Sequence, residues 1–284
     1  MTTRREVVKA IAALAATGVA PRAARALGAG ALLPDRIERI GLQLYTVRSL
    51  MTKDMPGTLA AVAAAGYGDV EFAGYFGRSP TEVKQLLADN GLTAPSTHLS
   101  LDDVQARFDA TAESVRAIGI RYLTVASLDM RTIKTADGWK RVAGRFNDVG
   151  RRAVAAGLRF AYHNHSVEFT SANGVIPMDI LLAETDPALV SFEMDLYWAV
   201  KAGQDPRAYF TRYPGRFAMV HVKDATPAPA LEMADVGAGS IDWKAIFALH
   251  TTAGIEHYFV EHDNPADPMA SITKSAGYLK ALTF

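Results

Sequence analysis

From Ile40 onward, short runs of apolar and β-branched residues alternate with longer stretches in which apolar positions recur every three or four residues. A period of two marks a strand and a period near 3.6 marks a helix, so the chain reads as repeated βα units building a parallel sheet. Strand-like runs fall at 40–46, 69–73, 93–98, 122–126, 159–165, 190–195, 217–222 and 257–262, and helical patterns lie between them at 55–65, 81–90, 103–118, 139–156 and 241–252. Gly66, Gly91, Gly119, Gly157 and Gly254 each stand just past such a pattern, where a left-handed cap ends a helix. Eight units in about 245 residues match the size of a (β/α)8 barrel. The rival is an open doubly wound sheet, but no G-x-G-x-x-G follows the first run and no G-x-x-x-x-G-K-S/T occurs, so a nucleotide-binding sheet lacks its fingerprint. No long Pro/Gly/Ser linker divides the region, and residues 225–230 read as a loop after the seventh strand. One α/β barrel domain over residues 37–284 is predicted.

The first thirty residues follow a different pattern. Arg4 and Arg5 precede an apolar, small-residue stretch from Ala10 to Ala20, and Ala24-Arg25-Ala26 supplies an A-x-A cleavage site. The stretch is shorter than the roughly 20 residues needed to span a bilayer. A charged start, a short apolar segment and that site make residues 1–30 an expected twin-arginine-like export signal. The expected location is the periplasm or the exterior, with no membrane attachment after cleavage.

Composition narrows the chemistry. The 30 basic and 30 acidic residues cancel, which removes the basic surface expected of a nucleic-acid partner. With no cysteine in the chain, thiolate nucleophiles, disulfides and cysteine-held metal centres are excluded. What remains is His, Asp, Glu, Lys, Ser or a bound metal.

In a barrel of this kind the active site lies at the C-terminal ends of the strands. Polar residues gather there: Gln43, Tyr45 and Arg48 after the first strand, Glu71, His98, then His163, Asn164, His165 and Glu168 after the fifth. Glu193 and Asp195, His221 with Lys223 and Asp224, and Glu261 with His262 and Asp263 end the last three. Period-two alternation turns Glu193 and Asp195 to one side, and likewise His163 with His165 and His221 with Lys223. Carboxylates and imidazoles crowded on one face repel and desolvate one another unless a cation sits among them. A shell rich in carboxylate oxygens suits Mn, Mg, Co or Fe(II), and zinc stays open.

The ordered set Leu42-Gln-Leu-Tyr-Thr-Val-Arg48, Tyr162-His-Asn-His165 through Glu168-Phe169, Met194-Asp-Leu-Tyr-Trp198, His221-Val-Lys-Asp224 and Val260-Glu-His262 resembles the sugar phosphate isomerase/epimerase superfamily of xylose isomerase-like TIM barrels. The resemblance spans residue 37 to the end. It implies a single divalent metal ion, held by a Glu, an Asp, a His and a second Glu from strands five to eight. Asp195, His221 and Glu261 match that pattern. On strand five this chain has His163 where many relatives have Glu, so the first ligand is expected to be Glu168, reaching back from a turn, with His163 as the alternative nitrogen ligand.

A metal that chelates a sugar carbonyl and its neighbouring hydroxyl acidifies the C–H between them and stabilises an enediolate. The expected function is therefore a metal-dependent isomerase or epimerase of a sugar or keto-sugar. Dehydratase or keto-glycoside lyase chemistry on the same scaffold is the alternative, and a non-catalytic periplasmic sugar-binding barrel is the other class. Glu168 and Glu261 are expected to carry protons, while His163, His165 and Lys223 polarise or protonate substrate oxygens. Gln43, Tyr45, Arg48, Glu71, His98 and Trp198 are read as substrate contacts. The partner is a small sugar or keto-sugar, not nucleic acid.

Overall fold

The computed structural model describes residues 35–171 and 174–284. The expected export signal at 1–30 lies outside the described residues. Eight parallel strands close into a barrel: β1 (Ile40–Gln43), β2 (Asp69–Phe72), β3 (Thr93–Leu99), β4 (Tyr122–Val125), β5 (Arg159–His163), β6 (Val190–Asp195), β7 (Phe217–Val222) and β8 (His257–Val260). Each pairs with its neighbours in sequence, and β1 closes the ring against β8. Helices follow the strands and bury the outer wall, as the βα alternation predicts. Among the described residues no helix is long and apolar enough to cross a membrane.

Local chemistry sets where the elements stop. β1 ends at Gln43 because its side-chain oxygen accepts the Tyr45 N–H at 3.0 Å and starts a 3-10 turn over Leu44–Val47. β5 ends at His163 rather than at 165, because the Glu168 carboxylate accepts the His165 N–H at 2.8 Å and turns the chain. The helix predicted at 103–118 is two helices, Leu101–Ala106 and Phe108–Ile118, separated where Arg107 adopts φ −129° and ψ 35°. Gly66 and Gly119 end their helices at φ 99° and 105°, a region open to glycine without a Cβ clash. The segment expected as a loop after β7 carries a short antiparallel pair, Asp224–Ala225 with Met233–Ala234.

Inside the barrel the side chains form tiers two residues, or about 6.6 Å, apart. The lowest is apolar: Tyr122, Ala161, Met219 and Phe259 pack together. Gly41 makes room for them, since a Cβ there would lie 2.5 Å from the Phe259 ring. Two residues further along each strand the interior turns polar, with Gln43, Glu71, Ser96, Thr124 and Glu193 fully buried. His163, His221 and Glu261, two residues beyond Ala161, Met219 and Phe259, extend this polar layer at the strand ends.

Candidate metal centre

Four neighbouring strands deliver one side chain each. His163 and Asp195 end β5 and β6, His221 is the penultimate residue of β7, and Glu261 follows β8. Register sets Asp195 beside His221. One donor atom from each of His163, Asp195, His221 and Glu261 lies within 4.8 Å of the others, and all four residues are buried.

Asp195 is held by its own surroundings. Its Oδ1 accepts the Trp198 N–H at 3.0 Å and caps the helix Leu196–Lys201, while its backbone N–H donates to Asn164 Oδ1 at 3.1 Å. That leaves Oδ2, a buried oxygen with no hydrogen-bond partner; Lys223 Nζ is 3.0 Å from it but not aligned to donate. His163 is anchored from behind, its Nδ1 donating to the Ala126 carbonyl at 3.0 Å. A carbonyl only accepts, so Nδ1 carries the hydrogen and Nε2 the lone pair. Burial, with His221 nearby, holds His163 down to about 3, so the ring is neutral at pH 7. Its Nε2 is also buried without a partner and lies 3.4 Å from Asp195 Oδ2. Two buried acceptors thus face each other with no hydrogen between them, an arrangement that favours positive charge beside them: Lys223 supplies one such charge at 3.0 Å from Asp195 Oδ2, and a cation between the two acceptors would join them. The donor set fits a divalent cation: imidazole nitrogens suit zinc or iron, and carboxylate oxygens extend the range to manganese and magnesium.

The surrounding charges are arranged for the same purpose. Burial would raise the Glu261 and Asp195 carboxyls, but Lys223 together with His221 and His163 outweighs it and both sit below the usual carboxylate range. Lys223 Nζ lies 2.8 Å from Glu261 and 2.7 Å from Asp263. Burial would lower this ammonium, but Asp195, Glu261 and Asp263 raise it well above its ordinary value. His221 behaves alike: burial is overcome by Glu193 and Glu261, and it is held well above the ordinary imidazole value. Beneath it a second group, Glu71, His98, Glu193 and His221, also brings donor atoms within 4.8 Å of one another.

A cavity of about 1000 Å³ opens over the centre, between the loops that follow β3 and β4. Tyr45, His98, His163, His165, Lys223 and Glu261 face it. Other residues read as substrate contacts lie elsewhere. Gln43 and Glu71 are fully buried and bond to each other at 2.7 Å. Arg48 is tied to the Asp263 carbonyl and to Asn264 Oδ1, both at 2.8 Å, and lies over the Tyr45 ring. Trp198 stands behind Lys223, 5.8 Å from its ammonium.

The position of Glu168 corrects the expected ligand geometry. Its carboxylate does not reach back to Asp195; Tyr162 Oη and the His165 N–H donate to its two oxygens. Burial dominates there and pushes Glu168 up to about 7, with those hydrogen bonds opposing. His163 occupies the strand-five place in the group. The sequence reading had no role for Ser96, Asn164 or the Ala126 carbonyl. It did turn Glu193 to the same side as Asp195 but gave it no function, although that alternation was the available signal. Asp224, another strand-end carboxylate, is structural: it accepts from the N–H groups of Ala225, Gly237, Gly239 and Ile241 and from the Trp243 indole.

Fold and site together define a TIM barrel with a group of His and carboxylate side chains on its C-terminal face whose donors fit a cation. Residues 59–282 match the xylose isomerase-like TIM barrel family, and the chain belongs to that family. It is 26% identical over 257 residues to an inosose dehydratase of Lacticaseibacillus casei, covering 76% of this chain and 86% of the relative. A solved sugar phosphate isomerase/epimerase from Parabacteroides distasonis ATCC 8503 superposes with a TM-score of 0.75 at 28% identity, covering 89% of this chain and 96% of that one. The IOLI protein, solved with a zinc atom, shares the fold at a TM-score of 0.68 and 14% identity, over 85% and 96% of the two chains. The family includes isomerases, epimerases and inosose dehydratases, enzymes of small sugar-like substrates.

Proposed function

We propose that the protein is a metal-dependent enzyme that removes the proton beside the carbonyl of a keto-sugar or keto-cyclitol and completes the reaction by β-elimination, as a dehydratase or lyase. The observation that carries this reading is the facing pair of buried acceptors without a hydrogen bond, His163 Nε2 and Asp195 Oδ2, in a group whose His163 and Glu261 line the cavity. A divalent cation held by His163, Asp195, His221 and Glu261 supplies Lewis acidity there, polarising a carbonyl and acidifying the adjacent C–H. Glu261, kept ionised by Lys223 and His221 against the effect of burial, presents a carboxylate to the cavity and takes the proton. Lys223, charged and nearly fully buried, donates a hydrogen bond to the departing oxygen. Burial keeps His165 low, so its neutral ring serves as a proton relay on the same wall.

Elimination is supported by the relatives named inosose dehydratase, which align over most of their length. The cavity supports a leaving group larger than hydroxide, since its volume is at the upper end of the roughly 300–1000 Å³ range of small-molecule pockets. Isomerisation or epimerisation is the second reading, favoured by the Parabacteroides structure; it shares the first step and differs in where the proton returns. The test is to incubate metal-analysed protein with inosose, ketohexoses and keto-glycosides in deuterated water and follow the products by NMR. A new alkene or enol signal with loss of the β-oxygen is expected, whereas deuterium uptake without elimination selects the second reading. Glu261→Gln should slow turnover about 10²- to 10⁴-fold. Full activity with unchanged metal content in that variant defeats the proposal. The export signal read in residues 1–30 supports action in the periplasm or outside the cell, and loss of export on replacing both Arg4 and Arg5 by Lys is its check.

A further inference from the structure

His221 belongs to both His/carboxylate groups, and its two ring nitrogens face different partners. Nδ1 lies 2.7 Å from Glu261 Oε2 and 3.9 Å from Asp195 Oδ2, toward the centre described above. Nε2 lies 2.7 Å from Glu71 Oε2 and 3.2 Å from Glu193 Oε2, toward the barrel interior. A neutral imidazole has one lone pair to give to a cation, so the two groups cannot both use this ring.

The hydrogen bonds around Glu71 decide between them. Gln43 Nε2 donates to its Oε2 at 2.7 Å, and Ser96 Oγ donates to its Oε1 at 2.5 Å. Gln43 is itself locked, because its own oxygen accepts the Tyr45 N–H. Ser96 is 2.7 Å from Thr124 Oγ1. With the His221 contact, Glu71 receives three donors in a fully buried tier. Such a carboxylate is already satisfied and has nothing to gain from a cation. Each group keeps one buried carboxylate oxygen without a hydrogen bond, Asp195 Oδ2 on one side of the ring and Glu193 Oε1 on the other, and Lys223 Nζ stands 3.0 Å from the former.

We propose that Glu71 is a positioning residue: it holds the Nε2–H of His221, so that with a cation bound it is Nδ1 that gives up its hydrogen and turns its lone pair toward His163, Asp195 and Glu261, and the ring is withheld from the lower group. This rests on the reading of those residues as the cation site. His163 shows the same device in the opposite sense, with Nδ1–H held by the Ala126 carbonyl and Nε2 presented. Each candidate nitrogen ligand is thus fixed from behind by an acceptor that keeps the ring in one tautomer, an arrangement that raises both ligand basicity and precision. Glu71, read from the sequence as a substrate contact, acts through His221 instead.

The test loads the full chain with Zn²⁺ and compares wild type, Glu71→Ala and Glu71→Gln by elemental analysis, chelator competition and ¹⁵N NMR of the imidazoles. The expected results are one ion per chain, a His221 that carries its hydrogen on Nε2, and a loss of about 10- to 100-fold in Zn²⁺ affinity for the alanine variant. Glutamine, which keeps an acceptor for Nε2–H, should lose less. Two ions per chain, a hydrogen on Nδ1, or unchanged affinity in the alanine variant overturns the assignment of Glu71 while leaving the cation site intact. A wild-type chain that binds no Zn²⁺ overturns the cation site and this inference together. If Glu71→Ala does not fold, the tautomer and stoichiometry of the wild type decide.

Discussion

Asp69 and Asp195 are both buried aspartates on barrel strands, at opposite ends of the cylinder. Both carboxyls lie below the usual range. At Asp69 burial is outweighed by hydrogen bonds from His257, Thr93 and Arg39, and at Asp195 chiefly by Lys223. They differ in completeness. Arg39 Nε and Thr93 Oγ1 donate to one oxygen of Asp69, and His257 Nδ1 lies 3.1 Å from the other. Asp195 spends one oxygen on a helix cap and leaves the other without a hydrogen bond, 3.0 Å from Lys223 and beside the unpartnered nitrogen of His163. Burial and a depressed pKa therefore do not separate a structural carboxylate from a functional one. What separates the two here is the hydrogen bonding: Asp69 is fully met by protein donors, whereas Asp195 Oδ2 faces a second acceptor, His163 Nε2, with no hydrogen bond to either, and an unmet buried acceptor calls for an explanation.

Asp195→Ala should produce the largest effect, a loss of about 10³-fold or more in turnover, with release of the bound cation on dialysis. Kinetics and metal analysis check it, and the cation-free variant should lose only about 0.5–2 kcal/mol of stability, from the missing helix cap. Asp69→Ala should do the reverse. Stability should fall by about 2–4 kcal/mol in urea titrations, because charged and polar donors lose their acceptor, while turnover per folded molecule stays the same. An exchange of these phenotypes breaks the comparison.

Glu168 sharpens it as an intermediate case. Both its oxygens are partnered, but by neutral donors, so burial prevails and its carboxyl rises to about 7 from an ordinary 4.5. Between those values the folded chain binds more protons than the unfolded one, so this group's contribution to stability falls as pH rises through the window and is level above it. The loss amounts to about 3 kcal/mol. Glu168→Gln removes the dependence. Relative to wild type, the variant should gain about that much stability between pH 5 and pH 8, read from urea midpoints at the two values. A constant difference shows that Glu168 titrates as an ordinary carboxyl.

Much of this was open to reading along the chain. The eight strands and the helix-ending glycines follow from periodicity, and Asp195, His221 and Glu261 of the upper group from the resemblance to the family's motifs. Two kinds of feature were hidden. Helices at Pro206–Arg212 and Pro268–Ala281 carry an Asp cap and a proline start, but the first is too short for its period to stand out. The roles of Glu168, Glu71 and Gln43 depend on which donors surround each carboxylate and amide. Glu168 lies five residues from His163 in sequence, yet its partners are Tyr162 and the His165 N–H; Glu71 meets Gln43, Ser96 and His221 from three other strands.

The sequence by itself determined the barrel and the face on which chemistry collects, because strand and helix periods and the inward or outward sense of each side chain are local properties of the backbone. Only the tertiary structure decided that His163 takes the strand-five place, that Glu168 is a capped carboxylate, and that one oxygen of Asp195 is left over. A hydrogen-bond partner is chosen by distance in space, and closing the cylinder brings together residues that no spacing along the chain connects.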